Sequence, residues 1–199
     1  TLTATNGVLT LSGTTGLTFV TGDGTADLVI KITGTQANIN TALNGMSFTP
    51  NANYNGSASI QVVTTDGSLT DTDTVNITVN AVNDAPVNNV PVAQTVNEDT
   101  ALVISGISIA DVDAGSATVS VTLSVASGTL TVSSTAVNGV TSGAISGNGT
   151  STVTLSGSQT AINATLADLT GVTYQGTLNF NGSDVLTVTT NDLGNTGAP

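Results

Sequence analysis

The sequence contains no cysteine and no histidine, and it has a single basic side chain, Lys31. Without cysteine, neither disulfide bonds nor thiolate metal sites can form. Without histidine and cysteine, the Ser-His-Asp and Cys-His forms of nucleophilic catalysis are excluded. No Walker loop or dinucleotide fingerprint is present, and aromatic residues, at 3%, are scarce for the sugar subsites of a carboxylate-pair glycosidase. We therefore expect a protein that is not an enzyme.

The lack of basic residues also limits the partners. The net charge is -12, with 13 acidic residues against one basic residue. Binding to nucleic acid is not expected, because a single basic side chain cannot replace the counterions of a phosphate backbone. Membrane insertion is not expected either, since no stretch approaches the roughly 20 apolar residues of a membrane span. The partners that this charge should attract are cations.

The residues that are abundant are strand formers. Val, Ile, Leu and Thr dominate, and hydrophobic residues make up 38% of the 199 positions. This length allows two small β-sandwiches or one large one. Asn-Gly or Asp-Gly turns punctuate the chain at 6–7, 66–67, 138–139 and 148–149. Alternation predicts strands over 8–11, 27–32, 59–64, 75–79, 101–104, 119–124, 129–132, 152–155 and 185–189.

The chain repeats itself. The sequence QANINTAL at 36–43 returns as QTAINATL at 159–166, and Tyr54-Asn55-Gly56-Ser57 returns as Phe180-Asn181-Gly182-Ser183. These offsets give a repeat of roughly 125 residues. We expect residues 1–84 to form a first repeat whose N-terminal strands are missing. Residues 85–199 should form a second repeat whose C-terminal strand is missing.

Each repeat contains one segment with helical periodicity. Apolar residues recur at three- and four-residue spacing, at Ile39, Leu43 and Met46 and again at 162, 166 and 169. Thr35 and Ser158 precede these segments and can cap them. The pattern predicts one short helix per repeat, over 36–46 and 159–169, between two strands of the sandwich.

The acidic residues are concentrated between positions 66 and 113. Eight of the thirteen lie there, without Lys or Arg among them: Asp66, Asp71, Asp73, Asp84, Glu98, Asp99, Asp111 and Asp113. Crowded carboxylates repel one another, and a hard cation is their natural neutraliser. Calcium takes six to eight oxygen ligands from carboxylates, Asn side chains and backbone carbonyls. The segment therefore predicts Ca2+ as the bound ion; the alternative is that these residues only form solvated turns.

Three motifs carry a resemblance to a known family. Asn83-Asp84-Ala85-Pro86, Asn97-Glu98-Asp99-Thr100 and Asp111-Val112-Asp113 resemble the signature of cadherin-like, proteoglycan-type repeats in giant bacterial surface and type-I-secreted adhesins. The resemblance covers essentially the whole chain. It implies tandem Ig-like or cadherin-like β-sandwiches, an all-β fold in which each sandwich carries one short inserted helix.

The resemblance also assigns calcium-binding roles. The linker role falls on Asn83 and Asp84, and the paired-aspartate role falls on Asp111 and Asp113. Glu98, with Asp99 beside it, is similar to the family's strand glutamate. Asp66 would be the first repeat's contribution to the junction. Asp192 would act with Glu98 as a metal ligand toward a following repeat. The full set of expected metal ligands comprises Asp66, Asn83, Asp84, Glu98, Asp99, Asp111, Asp113 and Asp192.

The function expected from these observations is structural. The chain is interpreted as a secreted repeat module of an extracellular bacterial adhesin or surface filament, stiffened by calcium at the junction between repeats. Its partners would be neighbouring repeats of the same protein. Two alternatives remain open: a self-assembling fibre subunit completed by neighbouring chains, and a module that binds a sugar, ice or a partner cell.

Overall fold

The computed structural model describes residues 1–196 and consists mostly of antiparallel β-strands. The chain divides into two compact units, Thr1–Ala81 and a second that begins at Val82. Each unit contains one short α-helix. The predicted all-β fold with one inserted helix per repeat is therefore confirmed. The last three residues of the predicted repeat 85–199 lie outside the described residues.

The first unit is built on two sheets. A five-stranded sheet has the order β3-β4-β1-β6-β7, and a two-stranded sheet pairs β2 with β5. The apolar core contains Leu2, Leu9 and Ile30, each at most 3% exposed. The elements are β1 (Leu2–Thr5), β2 (Gly7–Thr10), β3 (Leu17–Thr21), β4 (Val29–Gly34), α1 (Gln36–Leu43), β5 (Ser47–Pro50), β6 (Gly56–Thr65) and β7 (Thr70–Val79).

The second unit repeats this plan and adds strands at its start. Its sheets have the orders β13-β14-β11-β16, β12-β15-β9 and β10-β8. The elements are β8 (Val87–Asn89), β9 (Leu102–Ile104), β10 (Ser108–Ala110), β11 (Thr118–Ser124), β12 (Gly128–Val132), a 3-10 turn (Ser142–Ala144), β13 (Ile145–Ser146), β14 (Thr152–Ser158), α2 (Gln159–Leu166), β15 (Val172–Gly176) and β16 (Thr187–Asn191).

Strand β11 shows why these sequences form half-buried strands. Successive side chains of a strand point to opposite faces. In β11, Val119, Val121 and Leu123 are all 0% exposed, whereas the Thr and Ser residues between them point away from the core. The apolar side chains of β11 therefore all enter one core, together with those of β12 and β14. This pattern fixes the register of the strand, since a shift of one residue would expose all three.

Both helices begin where the sequence predicts and end earlier. The hydroxyls of Thr35 and Ser158 cap them by accepting hydrogen bonds from the amides of Asn38 and Ala161. The predicted segments extended three residues further, to positions 46 and 169. Helix α1 stops before Gly45, which has a φ of +87°. This left-handed conformation favours glycine and ends a helix.

Each of the nine predicted strands corresponds to an observed strand: β2, β4, β6, β7, β9, β11, β12, β14 and β16. Seven strands were not predicted. They are two to five residues long, which is too short for alternation to identify them; they are β1, β3, β5, β8, β10, β13 and β15. Pairing with a neighbouring strand, which a local pattern cannot show, forms them.

The boundary between the units differs slightly from the sequence-based one. The second unit begins at Val82 rather than after residue 84. The reason is that Asn83 and Asp84 make hydrogen bonds within the second unit, to Asp192 and Asp113. Among residues 1–196, we find no helix that is both long and apolar enough to cross a bilayer.

Candidate metal centre

Two buried aspartates follow strand β10 in the second unit. Asp111 and Asp113 are each 8% exposed, while Val112 between them is 62% exposed. Carboxylates are rarely buried to this degree unless they are paired with a cation or hydrogen-bonded. This pair is therefore the part of the acidic segment with the strongest requirement for a partner.

Asp111 forms the turn that leads out of β10. Its Oδ1 atom accepts hydrogen bonds from the backbone amides of Asp113 and Ala114, at 2.8 and 2.9 Å. Its Oδ2 atom is buried and has no hydrogen-bond partner among the described residues. A carboxylate oxygen that is removed from water without a partner is destabilising. Within this unit, Oδ2 of Asp111 is therefore a buried polar atom that the described residues leave without a partner.

Helix α2 holds the segment that carries these aspartates. The side-chain amide of Asn163 makes two hydrogen bonds to Ile109: Oδ1 accepts from the backbone amide at 2.9 Å, and Nδ2 donates to the carbonyl at 2.8 Å. One turn earlier, Oε1 of Gln159 accepts from the backbone amide of Asp111 at 2.6 Å. The helix therefore fixes the backbone on which Asp111 sits.

The carboxylate of Asp113 faces the segment that opens the second unit. Its Oδ2 atom accepts a hydrogen bond from the backbone amide of Asp84, at 2.6 Å. Gly115, with a φ of +49°, lets the chain turn immediately after the pair. An open cleft of about 370 Å³ lies beside Asp113, lined by residues 113–117 and 194–196. Solvent, and ions dissolved in it, can therefore approach Asp113 through this cleft.

Asn83 and Asp192 form a second contact near the start of this unit. Nδ2 of Asn83 donates to Oδ2 of Asp192, and the amide of Gly194 donates to Oδ1 at 3.2 Å. The Asn83 bond, followed by the Gly194 bond, lowers the pKa of Asp192 below its usual range. The side chain of Asn195 closes this loop by donating to the carbonyls of Thr118 and Asp192. Asp192 is thus hydrogen-bonded to Asn83, and its expected role beside Glu98 as a metal ligand toward a following repeat stays a prediction.

The second unit contains no basic side chain that could neutralise the buried pair. Lys31 is the only basic side chain of the chain, and it belongs to the first unit. Oxygen ligands and uncompensated negative charge are the features that calcium selects. Among residues 1–196, however, three or more acidic side chains never come close enough together to hold a metal ion. Calcium at Asp111 and Asp113 would therefore need backbone oxygens or water to complete its coordination.

The remaining predicted ligands lie in turns. Asp66 is exposed, and its Oδ1 atom accepts from the amides of Ser68 and Leu69 in the β6–β7 turn. Those bonds, led by the one from Leu69, lower the pKa of Asp66. Asp99 adopts a left-handed backbone conformation, and its Oδ1 atom accepts from the amide of Asn179. Glu98 beside it is exposed.

Sequence reasoning missed three side chains that organise the second unit. Gln159 and Asn163 position the Asp111 segment, and the repeated helix sequence was the signal that could have identified them. The third is Asp184, which accepts hydrogen bonds from the amides of Ala126 and Ser127 and from the Tyr174 hydroxyl. No repeat marks Asp184, since its counterpart in the first repeat is an alanine.

Asp184 and Tyr174 alter each other's ionisation. Burial acts to raise the pKa of Asp184, but the amides of Ser127 and Ala126, with further hydrogen bonds, outweigh it and lower that pKa overall. Burial first, and then the Asp184 carboxylate, raise the pKa of Tyr174. The pair closes the loop between β15 and β16, and nothing in its surroundings indicates a ligand.

Comparison with known proteins identifies no relative of this chain. No protein-family model matches it, and neither the curated proteins nor the solved structures show a significant similarity to it. The function has to be argued from the residues themselves.

Proposed function

We propose that this chain is a calcium-binding structural repeat module of an extracellular bacterial adhesin or surface filament, and that the ion binds at Asp111 and Asp113. The observation that carries the proposal is the buried Oδ2 atom of Asp111, which has no hydrogen-bond partner among residues 1–196. A divalent cation would supply the missing partner and neutralise the Asp111 and Asp113 carboxylates together. The features that make catalysis improbable, above all the lack of histidine and cysteine, support a structural role.

The site would act on the segment that opens the second unit. Asp113 already holds the backbone of Asp84 through its carboxylate. An ion that fixes Asp111 and Asp113 would hold this contact in place and so order the residues from Val82 to Pro86. In an array of such repeats, ordering each connecting segment would convert a flexible string into a stiff stalk. This stiffening is the mechanical contribution that calcium would make.

The size of the effect follows from mass action. Extracellular calcium modules bind with dissociation constants of about 0.1–1 mM. An ion that binds only the folded state, at about 100 times its dissociation constant, adds about 2.7 kcal/mol of stability. That is a large share of the roughly 5–15 kcal/mol that stabilises a typical domain.

Thermal unfolding in EDTA and in about 10–100 mM Ca2+, which is about 100 times those dissociation constants, tests the proposal. We expect calcium to raise the melting temperature of the wild-type chain and to have no such effect on Asp111→Asn/Asp113→Asn. In EDTA the double variant should be at least as stable as wild type, because each asparagine keeps one carbonyl oxygen that can accept the backbone hydrogen bonds, and the unneutralised charge is removed.

A matched control separates a specific site from general charge screening. Asp71 and Asp73 have the same two-residue spacing, but both are exposed on β7. The variant Asp71→Asn/Asp73→Asn removes the same charge and should keep the full calcium response. An equal loss of response in both double variants, or no response in wild type, would refute the site. If only Asp111→Asn/Asp113→Asn loses the calcium response, isothermal titration calorimetry of the wild-type chain would give the number of bound ions.

A further inference from the structure

The two helices have the same sequence pattern but different surroundings. In α2, Gln159 and Asn163 bind the backbone of Asp111 and Ile109. The aligned residues of α1 are Gln36 and Asn40. Both are exposed, and neither side chain makes a hydrogen bond within residues 1–196. The first unit therefore carries the same two side chains, but among the described residues they make none of the backbone hydrogen bonds that Gln159 and Asn163 make.

The apolar side chains next to this polar pair show the same difference. In the second unit Ile162 and Leu166 of α2 are 0% exposed, whereas the aligned Ile39 and Leu43 of α1 are only partly buried. Met46 lies after α1, where the strand pairing aligns Phe48 with Tyr174, so its counterpart is Val172 and not the exposed Leu169. Val172 is 0% exposed, and Met46 is again only partly buried. What covers this face in the second unit is its own segment Leu102–Asp113, which contributes the buried Ile104, Ile107 and Ile109 to the core.

A free strand edge completes the comparison. Strand β15 pairs with β12 on one side and with β9 on the other, where Val172 lies opposite Ile104 and Tyr174 opposite Leu102. Its counterpart β5 pairs with β2, and no strand pairs with its other edge among the described residues. Such an edge presents unpaired backbone amides and carbonyls to an incoming strand.

We infer that the first unit is a receptor for a β-strand segment of the Leu102–Asp113 type, supplied by another polypeptide segment of the same repeat class. The incoming strand would add to the free edge of β5, as β9 adds to β15. The part equivalent to β10 would cross α1. There, Asn40 would bind one residue through both backbone groups, and Gln36 would accept the amide two residues later. Three aliphatic side chains would cover Ile39, Leu43 and Met46.

The second unit supports this choice of occupant, because its own segment Leu102–Asp113 covers the equivalent surface. Asn163 and Gln159 contact only the backbone of that segment. Hydrogen bonds of this kind would hold any strand in the correct register. Selectivity would come from the aliphatic residues at positions equivalent to 104, 107 and 109. The inference does not depend on calcium, since it rests on hydrogen bonds and apolar burial alone.

A labelled peptide of residues 99–115 tests the inference with the full chain. The titration is read by fluorescence anisotropy in EDTA, so that the two aspartates of the peptide bind no metal. We expect saturable binding that weakens by about tenfold in Asn40→Ala, because two hydrogen bonds to the peptide backbone are lost. The matched control Asn76→Ala, an exposed asparagine of β7, should bind like wild type. A peptide carrying Ile107→Asp and Ile109→Asp should not bind.

Hydrogen exchange locates the bound peptide. Binding at the first unit should slow exchange of the amides in β5 and α1. Slower exchange confined to β15 and α2 would mean that the peptide replaces the second unit's own segment, and this would overturn the inference. The absence of binding at about 100 µM peptide, or equal binding to wild type and Asn40→Ala, would overturn it as well.

Discussion

The contribution of the two hydrogen bonds between Asn163 and Ile109 to the stability of the second unit can be predicted quantitatively. Ile109 is only 3% exposed, so its backbone amide and carbonyl depend on Asn163, at 2.9 and 2.8 Å. The substitution Asn163→Ala leaves both groups without a partner. An unsatisfied buried polar group costs about 1–3 kcal/mol, whereas alanine returns roughly 0.5 kcal/mol of helix propensity. We therefore expect a loss of about 2–4 kcal/mol in the free energy of unfolding.

Asn40→Ala is the matched control for this prediction. Asn40 occupies the aligned position of α1, but it is exposed and makes no side-chain hydrogen bond among the described residues. Its replacement removes no bond and should leave the stability of the first unit unchanged or raise it by a few tenths of a kcal/mol. The two variants thus make the same chemical change in the same helix sequence, with opposite expected effects.

Hydrogen exchange combined with urea unfolding can assign each effect to its unit. Amides of β11 and β14 report on the second unit, and amides of β1 and β6 report on the first. In Asn163→Ala the exchange of β11 and β14 should accelerate, and the melting temperature of the second unit should fall by roughly 10 °C or more. A loss below about 0.5 kcal/mol, or an equal loss in Asn40→Ala, would refute the role given to Asn163.

Three further predictions concern the second unit's interior and its response to pH. Leu166→Ala should lower the free energy of unfolding by about 2–5 kcal/mol, because Leu166 is 0% exposed. Leu43→Ala should lower it by less, because Leu43 is only partly buried. Urea unfolding of both variants measures the difference. Because folding lowers the pKa of Asp184, its carboxylate stabilises the folded state above the unfolded-state pKa of about 4. This contribution to stability is lost as the pH falls through the pKa of the folded state. Acid unfolding of Asp184→Asn should therefore depend less on pH in that window, and an unchanged pH dependence would contradict the assignment. In a Tyr54→Phe background, ultraviolet titration should show the raised pKa of Tyr174 move back toward its ordinary value when Asp184 becomes Asn.

The first and second repeats show how far local sequence determines structure. The nine strands with clear alternation and the caps at Thr35 and Ser158 were predicted correctly, whereas Gly7 of the predicted 6–7 turn lies in β2. These features depend on neighbouring residues only: alternation sets which side of a strand is buried, and a hydroxyl before a helix accepts a hydrogen bond from its first turn. Short strands such as β5 and β10 escaped prediction because a distant partner strand defines them.

The burial that distinguishes the candidate metal centre from the other acidic residues could not be predicted from the sequence. The sequence pointed to eight residues because carboxylates are crowded there and because three motifs resemble a family. It could not indicate that Asp111 and Asp113 are buried while Asp66 and Glu98 are exposed. Burial depends on the packing of β10 against α2, which brings residue 109 next to residue 163. That contact spans 54 positions of the chain, a distance over which a local pattern carries no information.

The two helices show most clearly what the local sequence determines and what the tertiary structure determines. The sequence alone determined that both QxxxN segments form capped helices, since propensity and capping are properties of the segment itself. Only the tertiary structure decided that Gln159 and Asn163 hold a backbone segment while Gln36 and Asn40 face solvent. The physical reason is that an amide side chain is equally satisfied by water or by a peptide group. Which of the two it meets depends on a segment that lies elsewhere in the sequence.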